Sequence, residues 1–409
     1  MVAIFAKDNL SKAIHDQPPS AGLSRRWRVL FAGCLAHITH DGFTDMLYVF
    51  FPIWQQTFHL SFAIVGLLKT LFSGSMSVFQ IPSGILAGRA GIRRLLCLGT
   101  LLTSVSLAMI GITRSAFVLG FLLVLGGMGS STQHPLSSSA ISNVYRGKES
   151  RVALSTYNFS GDVGKLILPG SAALLISYMG WHRAISILGL FGMLSIAVFL
   201  ATLGSVPLER QSRNSGATPK GRFAFLRLDH SFSFVSLSGI GIVDSATRTG
   251  FLTFLPFLLQ AKGADIKIVG LALSLIFAGG AAGKFVCGVL ASRVGILCTV
   301  VVTELATSAF IAAMIGLPLN AALLLCPIVG VALNGTSSVL YGSVPELAPE
   351  EYKNEAFALF YTCGIGSGAI APFLYGVLSD AVGVKVSVLA VSILVLATVP
   401  LTLPLRGKV

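Results

Sequence analysis

Charge is what this chain has least of. Only 11% of its 409 residues are Asp, Glu, Lys or Arg, while hydrophobic residues make up 54%, a balance that no water-soluble domain of this size tolerates. Acidic residues are the scarcer kind, 16 against 29 basic. The 6 cysteines, Cys34, Cys97, Cys287, Cys298, Cys326 and Cys363, stand singly without CxxC spacing. That excludes a disulfide framework or a zinc site and leaves them as small core residues. No G-x-x-x-x-G-K-[ST] loop occurs, which removes ATP-driven work. Residues 1–24 lack the apolar run of a cleavable signal and read as a cytoplasmic tail. The 3 tryptophans, Trp27, Trp54 and Trp181, fall at predicted helix ends, as expected of rings that prefer a membrane interface.

What is present is a series of apolar runs, each near the roughly 20 residues that cross about 30 Å of hydrocarbon as a helix. The expected spans lie near 29–52, 61–85, 95–112, 117–142, 153–177, 182–206, 233–259, 267–291, 297–316, 320–344, 355–378 and 385–405. They define an all-α membrane protein with 12 transmembrane helices. The long polar stretch at 207–232 separates a six-helix bundle over 25–206 from a second over 233–409.

The basic excess would suggest nucleic acid in a soluble protein, so its placement decides its meaning. About 20 of the Lys and Arg fall in the tail, the even-to-odd loops, the linker and the carboxyl terminus, and about 5 in the opposite loops, which is the positive-inside bias. Both termini and the linker are therefore expected in the cytoplasm, anchored by residues such as Arg26, Arg28 and Arg93. Nucleic-acid binding is set aside.

The two halves repeat one another. Gly84-Ile85-Leu86-Ala87-Gly88-Arg89-Ala90-Gly91-Ile92 returns 204 positions later as Gly288-Val289-Leu290-Ala291-Ser292-Arg293-Val294-Gly295-Ile296. Ile64-Val65-Gly66 returns as Ile268-Val269-Gly270 and Pro52 as Pro256 at the same offset, and Pro169 returns as Pro372 at 203. Matches in one order at one spacing indicate a duplicated bundle, the plan of many secondary transporters.

An ionisable side chain inside a span is costly unless paired or hydrated, so each is a candidate site residue. His37, Asp41 and Asp45 form one stripe at i, i+4 and i+8, with His40 beside them and Tyr48 continuing the face. The stripe can exchange protons as water access changes sides, form a structural hydrogen-bond network, or ligate a metal; one helix alone cannot complete a metal shell. The cations inside spans are Lys69, Lys165, Arg248 and Lys284. Asp162 with Lys165 (i, i+3) and Asp244 with Arg248 (i, i+4) can neutralise each other on their own helices, whereas Lys69 and Lys284 have no such neighbour and could attract an anion. Gln133, His134, Tyr157 and Asn158 add polar groups that either meet substrate or satisfy backbone freed by Pro135.

These features resemble the major facilitator superfamily: twelve spans in two similar halves, a basic G-x-L-A-x-R-x-G loop in each, and a central linker. More narrowly, His37-Ile38-Thr39-His40-Asp41, Gly127-Met128-Gly129-Ser130-Ser131-Thr132-Gln133-His134-Pro135-Leu136-Ser137-Ser138 and Glu346-Leu347-Ala348-Pro349 are similar to strings of its fosmidomycin-resistance branch. The resemblance implies alternating access driven by the proton gradient. Three departures stand out. Gly88 and Ser292 occupy the loop position where the family carries an acid, Leu136 replaces the branch's glutamate, and Asp162 and Lys165 replace uncharged polar residues.

The expectation is a proton-coupled secondary transporter of the inner membrane, not an enzyme, that exports a small anionic or amphiphilic compound. His37, Asp41, Asp45 and Asp162 would couple protons. Lys69, Gln133, His134, Tyr157, Asn158, Lys165, Asp244, Arg248 and Lys284 would contact substrate. The alternatives are an importer of an organic acid or nutrient, and a metal or metal-chelate carrier. The partners are the small molecule, protons and the lipid bilayer, with no cofactor, and the chain is expected to act as a monomer.

Overall fold

The computed structural model describes residues 19–204, 231–347 and 353–407, and these are helical apart from short turns. The first half contains α1 (Pro19–Phe58), α2 (Phe62–Ala90), α3 (Ile92–Ile110), α4 (Ala116–Ser130), α5 (Gln133–Val144) and α6 (Gly147–Leu203). The second contains α7 (Ser231–Gln260), α8 (Ile266–Val294), α9 (Ile296–Gly316), α10 (Leu319–Ser343), α11 (Lys353–Val382), α12 (Val384–Leu394) and the short α13 (Thr398–Leu401). Most of the expected tail and linker, with Ala348 and Pro349 of the Glu-Leu-x-Pro string, lies outside the described residues.

Among the described residues, nine helices are long and apolar enough to cross a membrane. One of these stretches, over 149–203, is two helices joined at a kink. It turns at Gly180, whose φ of 79° suits a residue without Cβ. The sequence places two spans, 153–177 and 182–206, on either side of this point, and the non-helical Gly180 separates two helices there. The span expected at 117–142 is one candidate membrane crossing, Ala116–Val144, whose helix is interrupted into α4 and α5 at Ser131 and Thr132, both still in the right-handed helical region. There α3 comes so close that a Cβ on Gly129 would sit 2.4 Å from the Gly99 carbonyl oxygen.

The duplication is visible in matched helix ends. α2 and α8 each span 29 residues, begin on a side-chain cap (Ser61 to the Ile64 amide, Asp265 to the Ile268 amide) and stop at a glycine with positive φ, Gly91 at 89° and Gly295 at 86°. A side-chain oxygen at the start satisfies an orphan amide, and a left-handed glycine lets the chain leave at the end.

The same landmarks join the halves. α2 packs on α11 and α6 packs on α8. Gly66 lies so close to α11 that a Cβ would meet the Pro372 carbonyl oxygen at 2.1 Å, and one on Gly270 would meet Ala173 at 2.3 Å and the Pro169 carbonyl oxygen at 3.1 Å. Each repeated glycine therefore faces the repeated proline of the other half. Close backbone approach is how helices associate where lipid supplies no hydrophobic drive.

Apolar packing shows which end is shut. One cluster crosses both halves, taking in Phe51, Trp54 and Leu123 from the first and Phe254, Leu258 and Val329 from the second. At the end carrying the basic loops the cores are separate: Val29, Ala87, Leu136 and Phe199 in one half, Phe234, Cys287, Leu340 and Leu405 in the other. The halves are sealed opposite the basic loops and apart beside them. Trp54 (0% exposed) and Trp181 correct the interfacial expectation: both are buried in this seal, their rings 6.5 Å apart, while Trp27 is exposed. Phe62 carries the seal across the seam, against Phe254 and Phe257 at 6.3 and 5.3 Å. Cys287 and Cys326 are buried as expected, but Cys298 is exposed.

Candidate functional site

Between the halves lies a cavity of about 680 Å³. Ten of the thirteen site residues expected from the sequence line it: His37, Asp41, Asp45, Lys69, His134, Asn158, Asp162, Lys165, Arg248 and Lys284. The other three stand behind its wall. Gln133 is buried and donates to Ser137 at 3.0 Å, Tyr157 stacks on His37 with ring centroids 4.1 Å apart, and Asp244 lies behind Arg248. Of the thirteen, these ten alone line the cavity.

Asp41 is the hub. Its Oδ2 lies 3.3 Å from His37 Nε2 and 3.2 Å from Lys165 Nζ, and its Oδ1 lies 3.6 Å from His134 Nε2 and 3.7 Å from His40 Nε2. α1 supplies the carboxylate and two of the rings, α5 supplies His134 and α6 supplies Lys165. The approach of α6 depends on glycine: a Cβ on Gly161 would fall 2.5 Å from Asp41 Oδ2 and 2.6 Å from His37 Cε1, and one on Gly164 would fall 2.1 Å from the Ile38 carbonyl oxygen. Leu136, at the position of the branch's glutamate, is fully buried in the apolar core, so the chain has no carboxylate there to offer the cavity.

The cations are paired differently from the same-helix expectation. Lys165 turns from Asp162 to Asp41, with Asp45 at 3.9 Å. Asp162 pairs with Lys284 of the other half, both oxygens 2.7 Å from Nζ, so Lys284 has a partner the sequence did not indicate. Arg248 keeps Asp244, at 3.7 Å, and donates to Ser337 Oγ at 2.5 Å; Ser337 donates to Asp244 at 3.1 Å. Lys69 alone of the four has no carboxylate within ion-pair distance among the described residues. Its ammonium is 3.5 Å from the Thr44 carbonyl and 4.5 Å from the Tyr48 ring centre.

Ligand atoms of His37, Asp41 and His134 lie within 4.8 Å of one another, so the second helix that the metal reading lacked is supplied by α5. Lys165 nevertheless stands on the same carboxylate and already balances its charge. Residues the sequence reading passed over include Asn334 and Ser337 on the cavity wall, Asp380, and Glu304, buried in α9. Glu304 carried a readable signal as the only carboxylate in its apolar run.

The Major Facilitator Superfamily profile matches residues 33–372. The chain belongs to this family. It is 23% identical to the fosmidomycin resistance protein of Escherichia coli K12 over 356 residues, covering 86% of each chain. A second E. coli relative, described as "Probable L-galactonate transporter", is 28% identical over 247 residues, 57% of this chain and 54% of that one. Among solved structures, a bacterial homologue of the human lysosomal transporter Spinster, in an inward-facing and occupied conformation, superposes with a TM-score of 0.79 at 18% identity, covering 94% of this chain and 97% of that one. These findings make the chain a multi-pass membrane transporter of small molecules.

Proposed function

We propose that this transporter couples protons to the movement of a small organic anion through the central cavity. The observation that carries the reading is the placement, in one chamber, of a cation without a carboxylate, Lys69, and a carboxylate ringed by basic nitrogens, Asp41. A desolvated cation attracts an anion and repels competing cations.

Hydrogen-bond inventory supports the proton. His37 Nδ1 is 2.7 Å from the Tyr157 carbonyl oxygen, which only accepts, so Nδ1 carries hydrogen. That leaves Nε2 facing Asp41 Oδ2, with no hydrogen-bond partner of its own. A bare nitrogen lone pair against a bare carboxylate is repulsive; a proton on either atom makes the contact favourable. The pair can hold that proton while Lys165 holds the other side of the carboxylate.

An anion drawn to Lys69 and Lys165 loosens Lys165 from Asp41, and a buried carboxylate that loses its cation gains affinity for a proton. Anion and proton then favour each other's binding, which is the logic of co-transport and, with the proton gradient directed inward, of uptake. Export is the second reading, favoured by the likeness over 86% of both chains to a resistance protein; it requires the proton to displace the anion. With the basic loops facing the cytoplasm, the open end described above is the inner one.

Proteoliposomes under an imposed pH gradient test both readings, with L-galactonate and fosmidomycin as probes. Uptake accelerated by outside acid supports co-transport, and efflux accelerated by it supports exchange. Movement of both probes indifferent to pH would overturn proton coupling.

A further inference from the structure

Glu304 is an acid with no role in the cycle above. It sits on α9 with 1% of its surface exposed, and its Oε1 is buried without a hydrogen-bond partner. One turn on, the Thr307 hydroxyl is buried and equally unpartnered. The charged groups acting on Glu304 are Asp244 and Arg248, both from α7. Of the other helices against α9, α10 contributes the Thr336 hydroxyl, bonded to Thr303 at 2.8 Å, and α8 and α12 bring no charged side chain to bear on it among the described residues.

Arg248 and Ser337 line the cavity, Asp244 is behind them, and Glu304 interacts electrostatically with Asp244 from within the apolar interior. Arg248 is within ion-pair distance of Asp244, at 3.7 Å, and Glu304 has no cation within that distance among the described residues. Ionised together they would leave an uncompensated negative charge in low dielectric, which proteins avoid by taking up a proton.

We infer that Glu304 and Asp244 form a second proton-binding site, confined to the C-terminal half and answering to Arg248 rather than to Lys165. In the structure as it stands the pair carries one proton, and the other carboxylate is matched by Arg248 through its ion pair with Asp244. An anion that attracts Arg248 toward the cavity removes that match, and the pair takes up a second proton from the cavity along Ser337 and Asp244. Each half then has its own proton site, Asp41 in the first and Glu304 with Asp244 in the second. The link to the anion rests on the transport reading above; the proton site does not.

Infrared difference spectra of the purified full chain in nanodiscs, exchanged between H2O and D2O, read protonated carboxyl groups directly. A carbonyl band of a protonated acid is expected in the wild type, retained in Asp41→Asn and lost in Glu304→Gln. Glu304→Asp, the milder variant if Gln impairs folding, should shift the band without removing it. Arg248→Gln should add a second such band, because both acids then need protons. A band unchanged in Glu304→Gln or Glu304→Asp overturns the proton site. The coupled role is read in proteoliposomes from the gradient needed to halt L-galactonate movement: the double variant Glu304→Gln with Asp244→Asn, which leaves no acid to take up the second proton, should lower the ratio by one proton per anion. An unchanged ratio removes the coupling, and failure of every variant and the wild type to move the probe counts against the transport reading while the spectra still decide Glu304.

Discussion

Asp41 takes its neighbours from α1, α5 and α6, and removing its charge while keeping its shape should separate coupling from binding. In Asp41→Asn, the rate gained from a pH gradient should fall to no more than the second proton site supplies while gradient-free anion exchange persists; an undiminished gradient-driven rate would refute the assignment. Lys69→Gln should raise KM about tenfold, roughly 1.4 kcal/mol of binding, with little change in the maximal rate, because no carboxylate lies within ion-pair distance of its ammonium among the described residues. The stripe of His37, Asp41 and Asp45 was legible because an i, i+4 spacing lies within one helix. The Lys165–Asp41 and Lys284–Asp162 pairs were not, since they are made between helices whose relative placement no local spacing encodes. Trp54 misled for a related reason: its position at a helix end is sequence information, but the seal it fills is formed by other segments.

At the level of elements, glycine sets how near helices come. Gly66→Leu would drive a side chain into the Pro372 carbonyl, so α2 and α11 must separate. Overpacking of this kind costs about 1–3 kcal/mol, and a melting temperature lowered by several degrees with loss of transport is expected in a thermal-shift assay. Gly161→Ala adds one methyl against His37 and Asp41. It should impair proton coupling more than stability, visible as a loss of gradient-driven rate with a nearly unchanged melting temperature. The matched 29-residue helices α2 and α8 were announced by the repeated glycines, which both seal their ends and face the other half. The break between α4 and α5 was not, because the Gly99–Gly129 contact that goes with it pairs residues 30 positions apart.

For the whole molecule, the two seams differ at the sealed end. On the α2–α11 seam, Asp380 accepts from the Phe62 and Ala63 amides at 2.7 and 2.8 Å, a carboxylate of one half closing the start of a helix in the other, where a negative charge is favoured. The matching position on the other half is Ser177, which bonds within its own helix to Leu174. Both seams are held deeper by matched bonds, Thr70 on the Ala369 carbonyl at 2.6 Å and Ser274 on the Leu166 carbonyl at 2.7 Å, and the α6–α8 seam adds Lys284 on Asp162 and, at its tip among the described residues, only Lys267 over the Tyr178 ring at 5.3 Å. Asp380→Ala should therefore widen the distances between spin labels placed across the sealed end of α2 and α11, while those across the basic-loop end shorten.

That inequality gives the molecule a handedness in time. A gate riveted at mid-depth on both edges but latched by a carboxylate at the tip of only one does not part evenly. The edge beside α6 and α8 is free to gape first, so the first passing space on the far side should open next to Lys284, and a cargo too wide for that slit would have to wait for Asp380 to let go.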